Sequence, residues 1–265
     1  MRKRRTGHSP GPMLRLHLWL TYFFLFLPIM VLAVLSFNRS HAIGLPMRGL
    51  TLEWYRSILG NSAILDSFLS SLQLGLVVAV VSTLIGTLAA LSVRSGLMMQ
   101  NWFMQLLLLP LVTPGIVGGI ALFMCLAYLG IPRSLFGSML VGHVSFTVPY
   151  IFLIVSARLS GMDKSLEQAA ADLGANRFQV FFLVTYPLIR PAVLGGGLLV
   201  FLLSFDEFIR TLFLIGVDQT LPLAIWGLMF DALTPEIPAL MTMLLIFNVV
   251  LLVTGQWLLR RKVGG

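Results

Sequence analysis

Six apolar stretches dominate this chain, at approximately residues 16–37, 68–93, 102–129, 135–158, 188–210 and 238–259. A helix needs roughly 20 residues to cross the hydrocarbon core of a bilayer, and each stretch reaches that length. Backbone in lipid must satisfy its own hydrogen bonds, so helices are the spanning element for such segments. The expected fold is an all-α membrane protein of six transmembrane helices in a single domain over residues 16–262, preceded by a flexible basic segment at 1–15. Composition agrees, with 58% hydrophobic and only 11% charged residues, against about a quarter charged in soluble domains.

The formal charge of +8 invites a nucleic-acid reading, but the basic residues cluster at the ends of the apolar stretches. The positive-inside rule puts them there, so the charge is topology and no nucleic-acid partner is expected. With the N-terminus in the cytoplasm, thirteen of the 18 lysines and arginines fall inside. The others, Arg39, Arg48, Arg56, Arg133 and Arg210, lie at or towards the outside. This gives an N-in, C-in arrangement. Arg2, Lys3, Arg4 and Arg5 before an apolar run resemble a secretory signal, yet the run is too long and no small-residue cleavage pattern ends it; a retained first helix is expected. The lone Cys125 allows no intrachain disulfide or cysteine metal cluster.

The third stretch contains LPLVTPGIVGGI. Pro110 and Pro114 each remove a backbone donor, and Gly115, Gly118 and Gly119 allow another backbone close. A kinked or broken helix is predicted, serving either a translocation pathway or packing alone. The loop from about Thr211 to Ile237 carries LPLAIWGLMF, too short to cross and expected to be re-entrant or interfacial.

The cytoplasmic loop of real length, about residues 160–187, reads as two short helices. Ser165 with Gln168, and Asn176 with Gln179, have the form of capping boxes. Gly174 falls where a helix end wants a left-handed residue. Leu166, Ala169, Ala170 and Leu173 give the first helix a small apolar face, and Phe178, Phe181 and Phe182 do the same for the second. Such faces must be covered by the chain's own helix ends or by another protein.

In this loop Gln168, Ala169, Ala170, then Gly174, then Val184, Tyr186 and Pro187 keep a distinctive spacing. It is similar to the EAA loop of type I ABC importer permeases, Glu-Ala-Ala, three residues, Gly, nine residues, Ile-x-Leu-Pro. Gln168 stands in place of the glutamate, with Glu167 one residue earlier, and Val184 and Tyr186 replace Ile and Leu. Further landmarks, LPLVTPGI, GHVSFTVPY, ADLGA, PLIRP, LSFDEF and TPEIPAL, resemble the spermidine/putrescine group from about Thr51 onward.

The resemblance implies a bacterial inner-membrane permease subunit of an ATP-driven, binding-protein-dependent importer. Its implied partners are a second homologous permease subunit, two ATPase subunits and a periplasmic binding protein. Ser165, Glu167, Gln168, Ala169, Ala170, Asp172, Gly174, Ala175 and Arg177 would form the coupling segment on the ATPase. The chain has no Gly-x-x-x-x-Gly-Lys-Ser/Thr loop. No catalysis and no bound cofactor or metal are therefore expected of it, with ATP and Mg on the partner ATPase.

Asp206 and Glu207 lie in the fifth stretch, where a charge costs about 2.5–3.5 kcal/mol on insertion scales and marks a functional site by default. Paired carboxylates suit a cationic substrate such as a polyamine. Alternatively Arg210, four residues after Asp206, neutralises them. Arg210 and Gly115, where polyamine permeases can carry aspartate, leave amino-acid-derived, opine and phosphonate substrates open. Trp54 is a candidate for stacking on an ammonium group, with interfacial anchoring the heavier reading. His143 is weighed as a pathway residue and, more heavily, as a hydrogen bond between helices. A secondary transporter would show inverted repeats and ion-coupling acids, and no convincing inverted repeat is present. A hydrolase would need a nucleophile motif that His143 and Ser145 do not supply.

Overall fold

The computed structural model describes residues 11–40, 44, 46–96, 100–231 and 234–263. Of the segment 1–15 expected to be flexible, residues 1–10 lie outside them, and Pro12 to Arg15 open the first helix. Twelve α-helices are present among the described residues: α1 Pro12–Leu35, α2 Glu53–Gly60, α3 Ser62–Arg94, α4 Gln100–Val112, α5 Gly115–Tyr128 and α6 Leu140–Ser160, then α7 Ser165–Asp172, α8 Arg177–Val180, α9 Tyr186–Phe205, α10 Ile209–Leu214, α11 Leu221–Asp231 and α12 Glu236–Val263. Wide turns at Leu135–Met139 and Phe181–Thr185 lead into α6 and α9. Extended pairing among these residues is a lone bridge between Asn38 and Leu50.

Among the described residues five helical segments are long and apolar enough to cross a membrane: Pro12–Leu35, Ser62–Arg94, Leu135–Ser160, Arg177–Phe205 and Glu236–Leu258. Trp102–Val112 and Gly115–Tyr128 make a sixth if the bent pair counts as one span. The bend is 111°. Its cause is local: Pro114 takes an extended ψ of 134° at the start of α5 and has no N–H to continue the ladder of α4. The break expected from LPLVTPGI is therefore real. The fifth stretch differs from expectation. It ends as a helix at Phe205, five residues early, and restarts at Ile209. LPLAIWGLMF forms α11, 11 residues long and too short to cross.

Contacts divide the chain into two compact units, residues 1–60 with 228–245, and residues 61–227 with 246–265. In the first, α1 buries none of its apolar window, and Trp19, Phe23 and Phe24 stand exposed. The Trp54 indole donates to the Asn38 carbonyl at 2.8 Å, Tyr55 shares a hydrogen bond with Ser36 at 2.7 Å, and the Ser57 hydroxyl donates to Glu236 at 2.6 Å.

The second unit is built on α3, α6 and α9. Asn61 starts α3 by accepting from the amides of Ala63 and Ile64 at 3.1 and 3.3 Å, a cap worth about 1 kcal/mol. The core gathers Leu74 and Val78 from α3, Ile151, Phe152 and Val155 from α6, and Ile189 and Val200 from α9. In lipid, close packing and interhelical hydrogen bonds replace the hydrophobic drive between helices. Both occur between α3 and α6, where Ser82 and Thr147 share a buried hydrogen bond of 2.7 Å. Four residues on, a Cβ at Gly86 would lie 2.7 Å from the Ile151 Cβ and 2.9 Å from the Val148 carbonyl. Backbone blocks any relief there, so Gly86→Val is expected to destabilise the bundle by about 1–3 kcal/mol. A lowered unfolding midpoint in detergent checks this, and an unchanged midpoint refutes it.

Candidate functional site

The loop between α6 and α9 is a helical hairpin. Asp163, not Ser165, starts α7: its carboxylate accepts from the Ser165 amide at 2.9 Å, and Ser165 makes no side-chain cap. That amide bond, then the Ser165 hydroxyl, holds the Asp163 carboxyl below its ordinary pKa. The capping box expected further on is present. The Asn176 side chain accepts from the Gln179 amide at 2.9 Å, while the Gln179 side chain accepts from the Asn176 amide at 2.8 Å. Gly174 sits at φ +88° between the helices, the left-handed conformation that glycine adopts without a Cβ penalty. The second helix is not free-standing. α8 runs through the wide turn at Phe181–Thr185 directly into α9.

Of the apolar faces read from the loop, Leu173 is 89% exposed and Phe178 75%. Phe182 and Leu166 are exposed as well. The chain's own helix ends therefore leave this surface uncovered. Gln168, Ala169 and Asp172 are exposed, as are Ser165 and Arg177, while Ala170 and Ala175 are half-buried.

Glu167 points the other way. Its Oε2 pairs with Arg94 at the end of α3 at 3.1 Å, and its Oε1 accepts from the Thr185 hydroxyl at 2.8 Å. Arg94 also donates to the Leu159 carbonyl at the end of α6. Arg158 adds a bond to the Leu188 carbonyl in the first turn of α9, at 2.9 Å. The hairpin is thus tied to the ends of three long helices.

The second polar centre is the break between α9 and α10. Arg210 does not pair with Asp206, as the four-residue spacing suggested. It pairs with Glu207 at 3.3 Å, and its amide donates to the same carboxylate at 2.9 Å. The helix ends at Phe205, so residues 206 and 210 do not share a helical face. Phe146 on α6 lies under the guanidinium, 3.8 Å from its centre, a contact worth about 2 kcal/mol when desolvated. Asp206 is left exposed and accepts from the neutral amide of Asn248 on α12, at 3.1 and 3.4 Å.

His143 is 1% exposed. One ring nitrogen shares a hydrogen bond with Ser204 on α9 at 2.8 Å, the other with Thr211 on α10 at 2.9 Å. It bridges the break and does not line an open surface, and the heavier of its two expected readings describes what is seen. Trp54 lies in the first unit, with its ring buried and its N–H engaged. Arg94, Thr185 and Asn248 were missed from sequence. Arg94 had counted only as a topology charge, and Thr185 and Asn248 carried no signal at all.

Apolar helices of bilayer length, two of them interrupted, with a helical hairpin joined to their ends, mark a multi-pass membrane protein. The profile described as "Binding-protein-dependent transport system inner membrane component" matches residues 82–263, and the chain belongs to this family. It is therefore an inner-membrane component of a bacterial ABC transport system. Among its relatives is the spermidine/putrescine transport system permease protein PotC of Escherichia coli strain K12, 34% identical over 92% of both chains. The putrescine transport system permease protein PotI of the same strain is 35% identical over 86% of this chain and 84% of that one. In fold the chain is similar to a bacterial ABC transporter that imports the acidic polysaccharide alginate, with a TM-score of 0.68 at 17% identity, covering 97% of this chain and 98% of that one. The inward-facing MetNI methionine ABC transporter gives 0.63 at 12% identity, covering 80% and 99%.

Proposed function

We propose that this chain is the permease subunit of an ATP-driven importer that moves a polyamine, such as spermidine or putrescine, from a periplasmic binding protein to the cytoplasm. The observation that carries the substrate class is Asp206, an exposed carboxylate in a helix break whose partner is a neutral amide. An acid at that position, with no cation of the chain paired to it, is available to a cationic solute. Relatives named for spermidine and putrescine transport support the same class. Arg210 had favoured a less cationic solute, but Glu207 matches its charge. Gly115 packs against Ile209, whose nearest methyl would stand 3.3 Å from a Cβ, so an aspartate there would be crowded.

ATP hydrolysis belongs to partner subunits. One of two ATPase subunits would engage the exposed Leu173 and Phe178 ridge, and a second, homologous permease chain would complete the passage and receive the other. Closure of the ATPases on ATP moves the hairpin and rocks the long helices between inward-facing and outward-facing states, while the loaded binding protein docks outside.

Asp206→Asn tests the substrate reading. Uptake of labelled putrescine and spermidine by the complete complex is expected to fall about tenfold, the ordinary scale of one charge-assisted contact, with complex assembly unchanged. Uptake at the wild-type rate would remove Asp206 from the pathway.

A further inference from the structure

We propose that Glu167 and Arg94 are positioning residues that form the mechanical joint through which the hairpin drives the bundle. The inference rests on the transporter reading above and assigns the transmission to particular atoms. A hairpin joined to the bundle only by its own two strands of chain moves α6 and α9, because those are the helices it connects. α3 is not its neighbour in sequence, yet α3 is the central helix of the unit and packs on both.

Two bonds of Glu167 and one of Arg94 place the joint. One carboxylate oxygen pairs with Arg94 at the last residue of α3, at 3.1 Å. The other accepts from Thr185, a buried hydroxyl in the wide turn before α9, at 2.8 Å. Arg94 then reaches the Leu159 carbonyl on the last turn of α6. A single side chain of α7 therefore grips the ends of α3 and α9 directly, and α6 through the arginine. Glu167 and Arg94 are only 26% and 11% exposed. Their attraction is thus poorly screened, and separating them would strand a charge at the membrane boundary. Gln168, where the similar loops carry glutamate, faces outward and takes no part. The two adjacent positions divide the labour: residue 168 lies on the uncovered surface, and Glu167 holds the hairpin to the bundle.

The joint makes the hairpin and the three helix ends a rigid body. Movement of α7 is then delivered to α3, α6 and α9 together. Without it the hairpin swivels on its connections, and ATP is spent with less transport.

The test uses the full complex, with its ATPase subunits, second permease chain and loaded binding protein, in proteoliposomes. Arg94→Gln, which lies outside the coupling segment, is expected to leave basal ATP hydrolysis near wild type, and both it and Glu167→Gln to assemble. Solute imported per ATP should fall about tenfold, within the usual range of coupling between sites. Exchanging the charges, Arg94→Glu with Glu167→Arg, should recover part of that ratio. Spin labels at Ser95 and Gln168 supply a readout that fold stability does not move. In the wild type their separation should be the same with and without ATP, and in Glu167→Gln it should broaden. A wild-type transport ratio in both single variants would overturn the proposal, as would a label distance that changes on ATP binding in the wild type. Loss of assembly in Glu167→Gln would also overturn it, since the residue would then shape the loop and transmit nothing. If the wild-type chain itself forms no complex with an ATPase, the transporter reading fails instead, and the two failures are distinct.

Discussion

Replacing Gly174 by valine is expected to abolish uptake and the stimulation of ATP hydrolysis by loaded binding protein. The residue joins α7 to α8 at φ +88°, and a β-branched side chain is an outlier there. Holding it costs about 1–3 kcal/mol of strain, which the hairpin relieves by changing the turn. Space is not the issue, because a Cβ at Gly174 meets nothing within 4 Å. The effect is therefore conformational. Leu173 and Phe178 flank the turn, so a changed turn separates the two exposed apolar residues proposed to meet the ATPase. Gly174→Asn supplies the control, since asparagine tolerates left-handed backbone, and most activity should remain. Copurification with the ATPase reads the contact, and loaded-binding-protein stimulation reads its consequence. Full activity in the valine variant would show that the turn geometry is immaterial.

Glu207→Gln is expected to be the most destabilising of the single charge changes at the α9–α10 break. Glu207 and Arg210 are 11% and 12% exposed. Removing one member of a buried pair leaves the other uncompensated, at a cost of about 3–5 kcal/mol. The Phe146 ring offsets part of this for the guanidinium. The loss should appear as a lowered unfolding midpoint in detergent together with reduced uptake. The double variant Glu207→Gln with Arg210→Gln should be more stable than Glu207→Gln alone, because no charge is stranded. A single variant as stable as wild type would mean that the pair is open to water in the membrane. Asp206→Asn should lower uptake without this loss of stability, because its carboxylate is exposed and bonded to a neutral amide. The adjacent acids thus separate by readout.

Local chemistry was legible where the cause is local. Pro114 broke the third span because a missing N–H acts on its own turn, and Asn176 with Gln179 formed the reciprocal cap their spacing implied. Gly174 took positive φ at the helix end. Ser165 was misread because Asp163, two residues earlier, supplied a stronger acceptor for the same amide. Arg210 was paired with Asp206 on the assumption that the helix continued through residue 210. It ends at Phe205, and the pairing passes to Glu207.

By itself the sequence determined that the chain is a helical membrane protein, which stretches form its apolar helices, and which loop is the hairpin. Length and hydropathy suffice for the first two in a solvent that offers the backbone no hydrogen bonds, and residue spacing suffices for the third. Tertiary structure alone decided which charges meet. Glu167 and Arg94 are 73 residues apart and pair across helix ends; Asp206 and Asn248 are 42 apart and meet at a break. Such pairings depend on helix rotation and on where each helix stops. Those are set by the close approach of α3, α6 and α9, which no local pattern encodes.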